Sequence, residues 1–181
     1  IFSLFIIIFS LPFLSSDKIY KTGNHTAVIN INGVISTGGD STKKIIDLIT
    51  KAANNDFCEN IILNINSPGG SATQSKIIFD QISRIKKTSD KTIYAIIDDV
   101  GASGGYYIAA SGDVVIANSS SIVGSIGVRL DSINIESLAK KLGIESQTIS
   151  SGEDKTILDP FQTLSEKQRN HLNNLVRDIH E

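Results

Sequence analysis

Two glycine-rich turns carry the residues best suited to chemistry. Each follows an apolar segment: Ser67-Pro68-Gly69-Gly70 comes after 60–66, and Gly101-Ala102-Ser103-Gly104-Gly105 comes after 92–97. In the first, proline fixes one backbone dihedral, and the glycine pair lets the chain turn with its N–H groups exposed. In the second, a serine stands where a strand is expected to give way to a helix. Its hydroxyl would sit at the helix N-terminus, where unpaired N–H groups and the positive dipole end favour a developing oxyanion. A nucleophile facing a second set of glycine N–H groups is what acyl transfer requires. Two tight structural turns would have the same composition, so both readings stand at this point.

A serine nucleophile needs a base. The three histidines are His25, His171 and His180. The first precedes an expected strand, and the other two fall off the apolar face of an expected terminal helix, so all three read as surface residues. Gly101-x-Ser103-x-Gly105 also matches the nucleophile elbow of α/β-hydrolases, and Ser103, Asp159 and His171 follow that fold's Ser…Asp…His order. This rival leaves the Ser-Pro-Gly-Gly turn unexplained. A lysine could act instead if burial or local donors lowered its pKa from about 10.4 towards neutrality. Ser-x-x-Lys spacing does not select one, because Ser41…Lys44 and Ser83…Lys86 both match it on expected solvated helix faces.

The elements around these turns alternate between two periodicities. Residues 26–31, 60–66, 92–97 and 113–117 read as strands. Between them, a helix capped by Asp40-Ser41 is expected to present Ile45, Ile46, Leu48, Ile49 and Ala52 on one face, and a second to turn Ile77, Ile78, Ile82 and Ile85 inward. Residues 98–103 are expected to turn, and 104–111 to form a short helix of small residues. Thr163-Leu-Ser-Glu166 reads as a capping box, opening a helix with Leu172, Leu175, Val176 and Ile179 on one face. Strand–helix alternation predicts parallel pairing in one α/β domain.

Bulk properties narrow the class. The chain has 181 residues, 40% hydrophobic and 20% charged, enough for one α/β domain with a core. A net charge of −2 argues against a nucleic-acid surface. The longest basic run, Arg84-Ile-Lys-Lys87, fits a helix C-terminal turn. Cys58 is the single cysteine, which excludes an internal disulfide and disfavours a thiolate metal site. Residues 1–14 carry no charge. The run is short against the ~20 residues of a spanning helix, and the chain lacks an initiating methionine. We therefore expect residues 1–16 to be a truncated signal or transmembrane anchor, uncleaved, holding a domain of residues 24–181 outside the cytoplasm.

Four motifs together resemble one family. Asn66-Ser-Pro-Gly-Gly70, Gly101-Ala-Ser-Gly-Gly-Tyr-Tyr107, Val123-Gly-Ser-Ile-Gly-Val128 and Ser151-Gly-Glu-Asp-Lys155 occur in the order found in bacterial signal peptide peptidase A, the S49 serine peptidase family, in its short form. The resemblance covers about Val28 to Arg169. It implies a ClpP/crotonase-like fold of stacked ββα units and a Ser/Lys dyad without metal or cofactor. Ser103 would be the nucleophile, Lys155 the general base and Ser125 the residue that orients the lysine. Gly69, Gly70 and Gly104 would surround the oxyanion.

The resemblance further implies a single-pass inner-membrane enzyme that cleaves signal-peptide remnants and other membrane-associated peptides. Its short members form octamers in which serine and lysine come from neighbouring subunits. A glycine-rich continuation after the terminal helix is expected, so the domain should be C-terminally incomplete here. Glu153 and Asp154, beside the lysine, would hold it protonated unless both face solvent. Another crotonase-fold enzyme, such as an acyl-CoA hydratase, or an inactive membrane scaffold are the other readings.

Overall fold

In a computed structural model of the chain, residues 23–37, 41–152 and 154–181 are described. The expected anchor, Asp40 and Glu153 lie outside them. Four strands run parallel in the order β1 (His25–Asn32), β2 (Cys58–Ser67), β3 (Thr92–Ala102), β4 (Val114–Ala117). The crossovers carry α1 (Ser41–Ala53), α2 (Ala72–Thr88) and α3 (Gly104–Ala109). A short strand, β5 (Ile122–Gly124), pairs parallel with the far end of β3. Two further helices follow, α4 (Glu136–Lys141) and α5 (Glu166–His180).

The period-2 pattern of the first three strands builds the core. Ile29, Ile31, Ile61, Leu63, Ile65, Ile93, Ala95 and Ile97 point to one face and are buried there, against Ile49 and Ala52 of α1 and Ile78, Ile82 and Ile85 of α2. Each fully buried isoleucine contributes about 1.5–3 kcal/mol relative to exposure. The other face of the sheet is polar along one row, where Asn64 Nδ2 donates to Asn30 Oδ1 at 3.1 Å.

Several local expectations are corrected. Leu48 and Ile77 are 40% and 42% exposed, because the helix faces are centred one position away, on Ile49 and Ile78. β3 does not turn at Asp98 but continues to Ala102. Its register against β2 jumps from Ile65↔Ile97 to Ser67↔Gly101. The extra residues at Asp98-Asp99 form a bulge that bends β3, so its last three residues pair with β5 instead of β4. The capping box of α5 is Ser165 with Gln168, not Thr163 with Glu166.

Burial divides the chain. Beyond Ser111, Ala139 is the one buried residue among those described. All four residues of β4 are exposed, and α5 buries none. Ile122, Ile126, Ile133 and Ile149 are exposed as well. Among the described residues, no helix is long and apolar enough to cross a membrane.

Candidate active site

β3 delivers Ser103 to the start of α3 in a backbone state that serine seldom adopts, with φ 52° and ψ −123°. Such a conformation costs of order 1–3 kcal/mol and persists where the surroundings enforce it. Here the Ser103 N–H donates to Gly124 O at 2.8 Å, and Tyr107 N–H donates to Ser103 O at 2.9 Å. One bond ties the residue to β5 and the other to its own helix. The hydroxyl makes no cap bond to α3, so it is not spent on local structure.

The Ser-Pro-Gly-Gly turn lies directly against this serine. A Cβ on Gly69, which has φ +90°, would come within 2.6 Å of Gly104 N, 2.7 Å of Ser103 Cβ and 2.9 Å of Ala102 O. Only a residue without a side chain allows that approach. The turn is held from its other side by the segment after β1. Ile35 N–H donates to Gly69 O at 2.9 Å, and Ser71 N–H donates to Ile35 O at 2.7 Å. Ser71 Oγ then caps α2 by accepting from Gln74 N–H. On α2, buried Ser75 bonds back to Ser71 O at 2.9 Å and occupies the space that a side chain on Gly104 would need. The structure thus brings Ser103, Gly69, Gly70 and Gly104 together at one end of the sheet.

Ser125 directly follows β5. It too has φ 52°, and Ser103 and Ser125 are the two non-glycine residues with positive φ among those described. Because Ala102 pairs with Gly124, the two strained serines follow in register at the ends of adjacent parallel strands.

Lys155 stands apart. It is exposed in a turn, its N–H donating to Gly152 O at 3.4 Å, and no hydrogen bond or ion pair joins its ammonium to Ser103, Ser125 or Asp154. The rival triad is not assembled either. Asp159 accepts from Thr148 Oγ1, Phe161 N–H and Gln162 Nε2, and no bond links it to His171. Lys86, from one of the two spare Ser-x-x-Lys matches, is committed to Asp113 at 2.9 Å and to the carbonyls of Ser111 and Gly112. Sequence reasoning passed over Ser67 and Ser75 as site residues, since a buried serine whose role is to hold backbone has no pattern of its own.

The family model for peptidase family S49 matches residues 85–181. The chain is 34% identical over 142 residues to protease 4 of Haemophilus influenzae, covering 74% of this chain and 22% of that one. It is 30% identical to the chloroplastic serine protease SPPA of Arabidopsis thaliana, covering 84% and 24%. A stretch of the Na(+)/H(+) antiporter NhaA of Brucella melitensis is 38% identical over 84% of this chain, although it makes up 22% of that protein. Among solved structures, the ClpP protease catalytic domain from Plasmodium falciparum matches with a TM-score of 0.40 and 26% identity, covering 49% of this chain and 53% of that one. The chain spans between 22% and 55% of the length of curated relatives that it matches. With the matched region covering more than half its residues, the chain belongs to peptidase family S49, a family of serine peptidases.

Proposed function

We propose that this protein is a membrane-anchored serine endopeptidase that cleaves signal-peptide remnants and other unfolded or membrane-associated peptides through a Ser103/Lys155 dyad. The observation that carries the reading is Ser103 itself: a strained serine with an uncommitted hydroxyl, opening a helix, with a glycine turn packed on it. The neutral Lys155 amine takes the Ser103 proton, and the alkoxide attacks the peptide carbonyl. The tetrahedral oxyanion is held by backbone N–H groups of Gly104 and the Gly69-Gly70 turn. Collapse breaks the C–N bond, the lysine returns the proton to the leaving amine, and water hydrolyses the acyl-serine with the same base. Ser125 orients the lysine amine.

Lys155 reaches Ser103 from a neighbouring subunit. That arrangement is supported by the lysine's exposure and by the absence of any bond from its ammonium to Ser103 or Ser125 of its own chain. It also fits the unburied apolar residues of β4, β5 and α5, which an isolated subunit leaves in water. The assembly is an octamer of ClpP/crotonase-like domains spanning 24–181, tethered by residues 1–16 with the catalytic domain outside the cytoplasm. No metal or cofactor takes part.

The test is labelling of full-length protein with a fluorophosphonate probe. Wild type should label at Ser103, and Lys155→Ala should label and turn over peptide at least ~100-fold more slowly, since general-base catalysis contributes about 10²–10⁴-fold. Lys155→Ala protein retaining wild-type turnover would overturn the dyad.

A further inference from the structure

Resting on the peptidase reading, we infer that Ser67 is a positioning residue whose hydroxyl decides which amide of the Ser-Pro-Gly-Gly turn faces the reaction. Ser67 is fully buried at the end of β2. A hydroxyl can donate and accept at once, and this one does both. Its Oγ donates to Gly33 O at 2.7 Å and accepts from Gly69 N–H at 3.1 Å.

The consequence lies in the hydrogen bonds of the turn. Gly33 N–H donates to Asn66 O at 2.9 Å, Ile35 N–H donates to Gly69 O, and Ser71 N–H donates to Ile35 O. Pro68 has no N–H. With the Gly69 N–H spent on Ser67, no bond within the turn or to the Gly33–Ile35 segment engages the N–H of Gly70. Gly70 therefore supplies the turn's oxyanion donor, opposite the Gly104 N–H at the start of α3. Gly69 supplies closeness to Ser103 instead of a donor.

Ser67 also touches the other half of the site. A Cβ on Gly105 would come within 2.6 Å of Ser67 O, so Ser67 lies between the Gly33 segment and the helix that carries Ser103. Removing its hydroxyl leaves the Gly33 carbonyl and the buried Gly69 amide without this partner and frees the turn to rotate the Gly70 N–H out of line. Ser67 touches no substrate atom and acts through the turn.

The experiment compares full-length wild type with Ser67→Ala. Three quantities are read: kcat and KM on a peptide substrate, Ki for a peptide aldehyde of the same sequence, and amide hydrogen exchange at Gly69. The aldehyde's hemiacetal oxygen occupies the oxyanion position, whereas ground-state binding does not use it. We expect kcat to fall about 10- to 100-fold with KM within about threefold, since losing one oxyanion donor outright costs about 10²–10³. The aldehyde Ki should rise by the same factor as kcat/KM falls, and Gly69 should lose its exchange protection. If Ser67→Ala does not fold, Ser67→Cys, with its weak S–H donor, is read in the same way and should fall between.

A purely structural role predicts a lower melting temperature with kcat per titrated site and aldehyde Ki unchanged, and that result overturns the inference. Unchanged Gly69 protection also overturns it. If wild type itself neither hydrolyses peptide nor labels at Ser103, the peptidase reading fails, while the exchange data still decide the role of Ser67 in the turn.

Discussion

The contact between Gly69 and Ser103 can be tested by adding one methyl group. In Gly69→Ala the new Cβ meets Gly104 N at 2.6 Å, Ser103 Cβ at 2.7 Å and Ala102 O at 2.9 Å. Ordinary carbon contacts lie at about 3.5–4.0 Å, so the two turns must separate by roughly 0.7 Å or more. The residue must also hold φ +90°, which costs a side-chain-bearing residue about 1–2 kcal/mol. With about 1–3 kcal/mol for overpacking, the fold should lose about 2–5 kcal/mol. For a chain of this size that is a fall in melting temperature of roughly 5–15 °C. The catalytic loss should be of comparable size, because a displacement approaching 1 Å at reacting groups costs about 10²-fold, or about 2.7 kcal/mol of barrier. Fluorophosphonate labelling rate and peptide turnover, measured well below the melting transition, give the answer. A Gly69→Ala protein that labels and turns over within about threefold of wild type would show that the two turns do not form one site.

Three further outcomes are expected. Ser103→Ala and Lys155→Ala proteins, each inactive alone, should regain up to about a quarter of wild-type turnover when co-assembled at random, because each site then draws serine and lysine from different subunits; no recovery by active-site titration would argue for a dyad within one chain. Ser103→Gly should be more stable than Ser103→Ala by about 1 kcal/mol in chemical denaturation, the reverse of the usual order, because only alanine keeps a Cβ at φ 52°; alanine being the more stable would remove the claim of strain. Burial pushes the Asp113 carboxyl up, but the Ile93 N–H and the Lys86 ammonium outweigh it and hold the group below the usual carboxylate range. A depressed folded-state pKa means that its contribution is whole above about pH 4 and is lost as pH falls further. The melting-temperature gap between wild type and Asp113→Asn should therefore close below about pH 4, and a gap that widens there would reverse the sign.

How much of this was legible in the sequence depended on whether neighbours in the chain or neighbours in space decide a residue's state. β1, β2 and the first half of β3 were legible as strands from their apolar runs, although Val28, Ile62 and Ile96 break the strict alternation that would have marked the buried face. Asp98-Asp99 read as a turn because two adjacent acids suit one. β3 runs on because β5 offers it a second partner, which no local pattern announces. The glycine turns were visible as composition, but the division of labour between Gly69 and Gly70 was not. It rests on a hydroxyl from Ser67 and on the Gly33–Ile35 segment, 34 residues earlier in the chain for the Ser67–Gly33 bond. Lys155 marks the far limit, since it is exposed and no bond joins its ammonium to Ser103 or Ser125.

The two strained serines join these threads. A turn that only reversed the chain would put glycine or asparagine at φ 52°, at no comparable cost. This chain instead places serine there twice, at Ser103 and Ser125, on strand ends held in register by Ala102↔Gly124. At about 1–3 kcal/mol each, the two conformations offset a sizeable part of the 5–15 kcal/mol that typical domains have in hand. Strain concentrated on two hydroxyls at one edge of one strand pair has no structural purpose that glycine would not serve better. It fits a chain that holds one hydroxyl out to attack and a second beside it to receive an amine arriving from elsewhere. Under the proposed dyad, the unburied second half of the subunit would be the surface through which that amine is brought in.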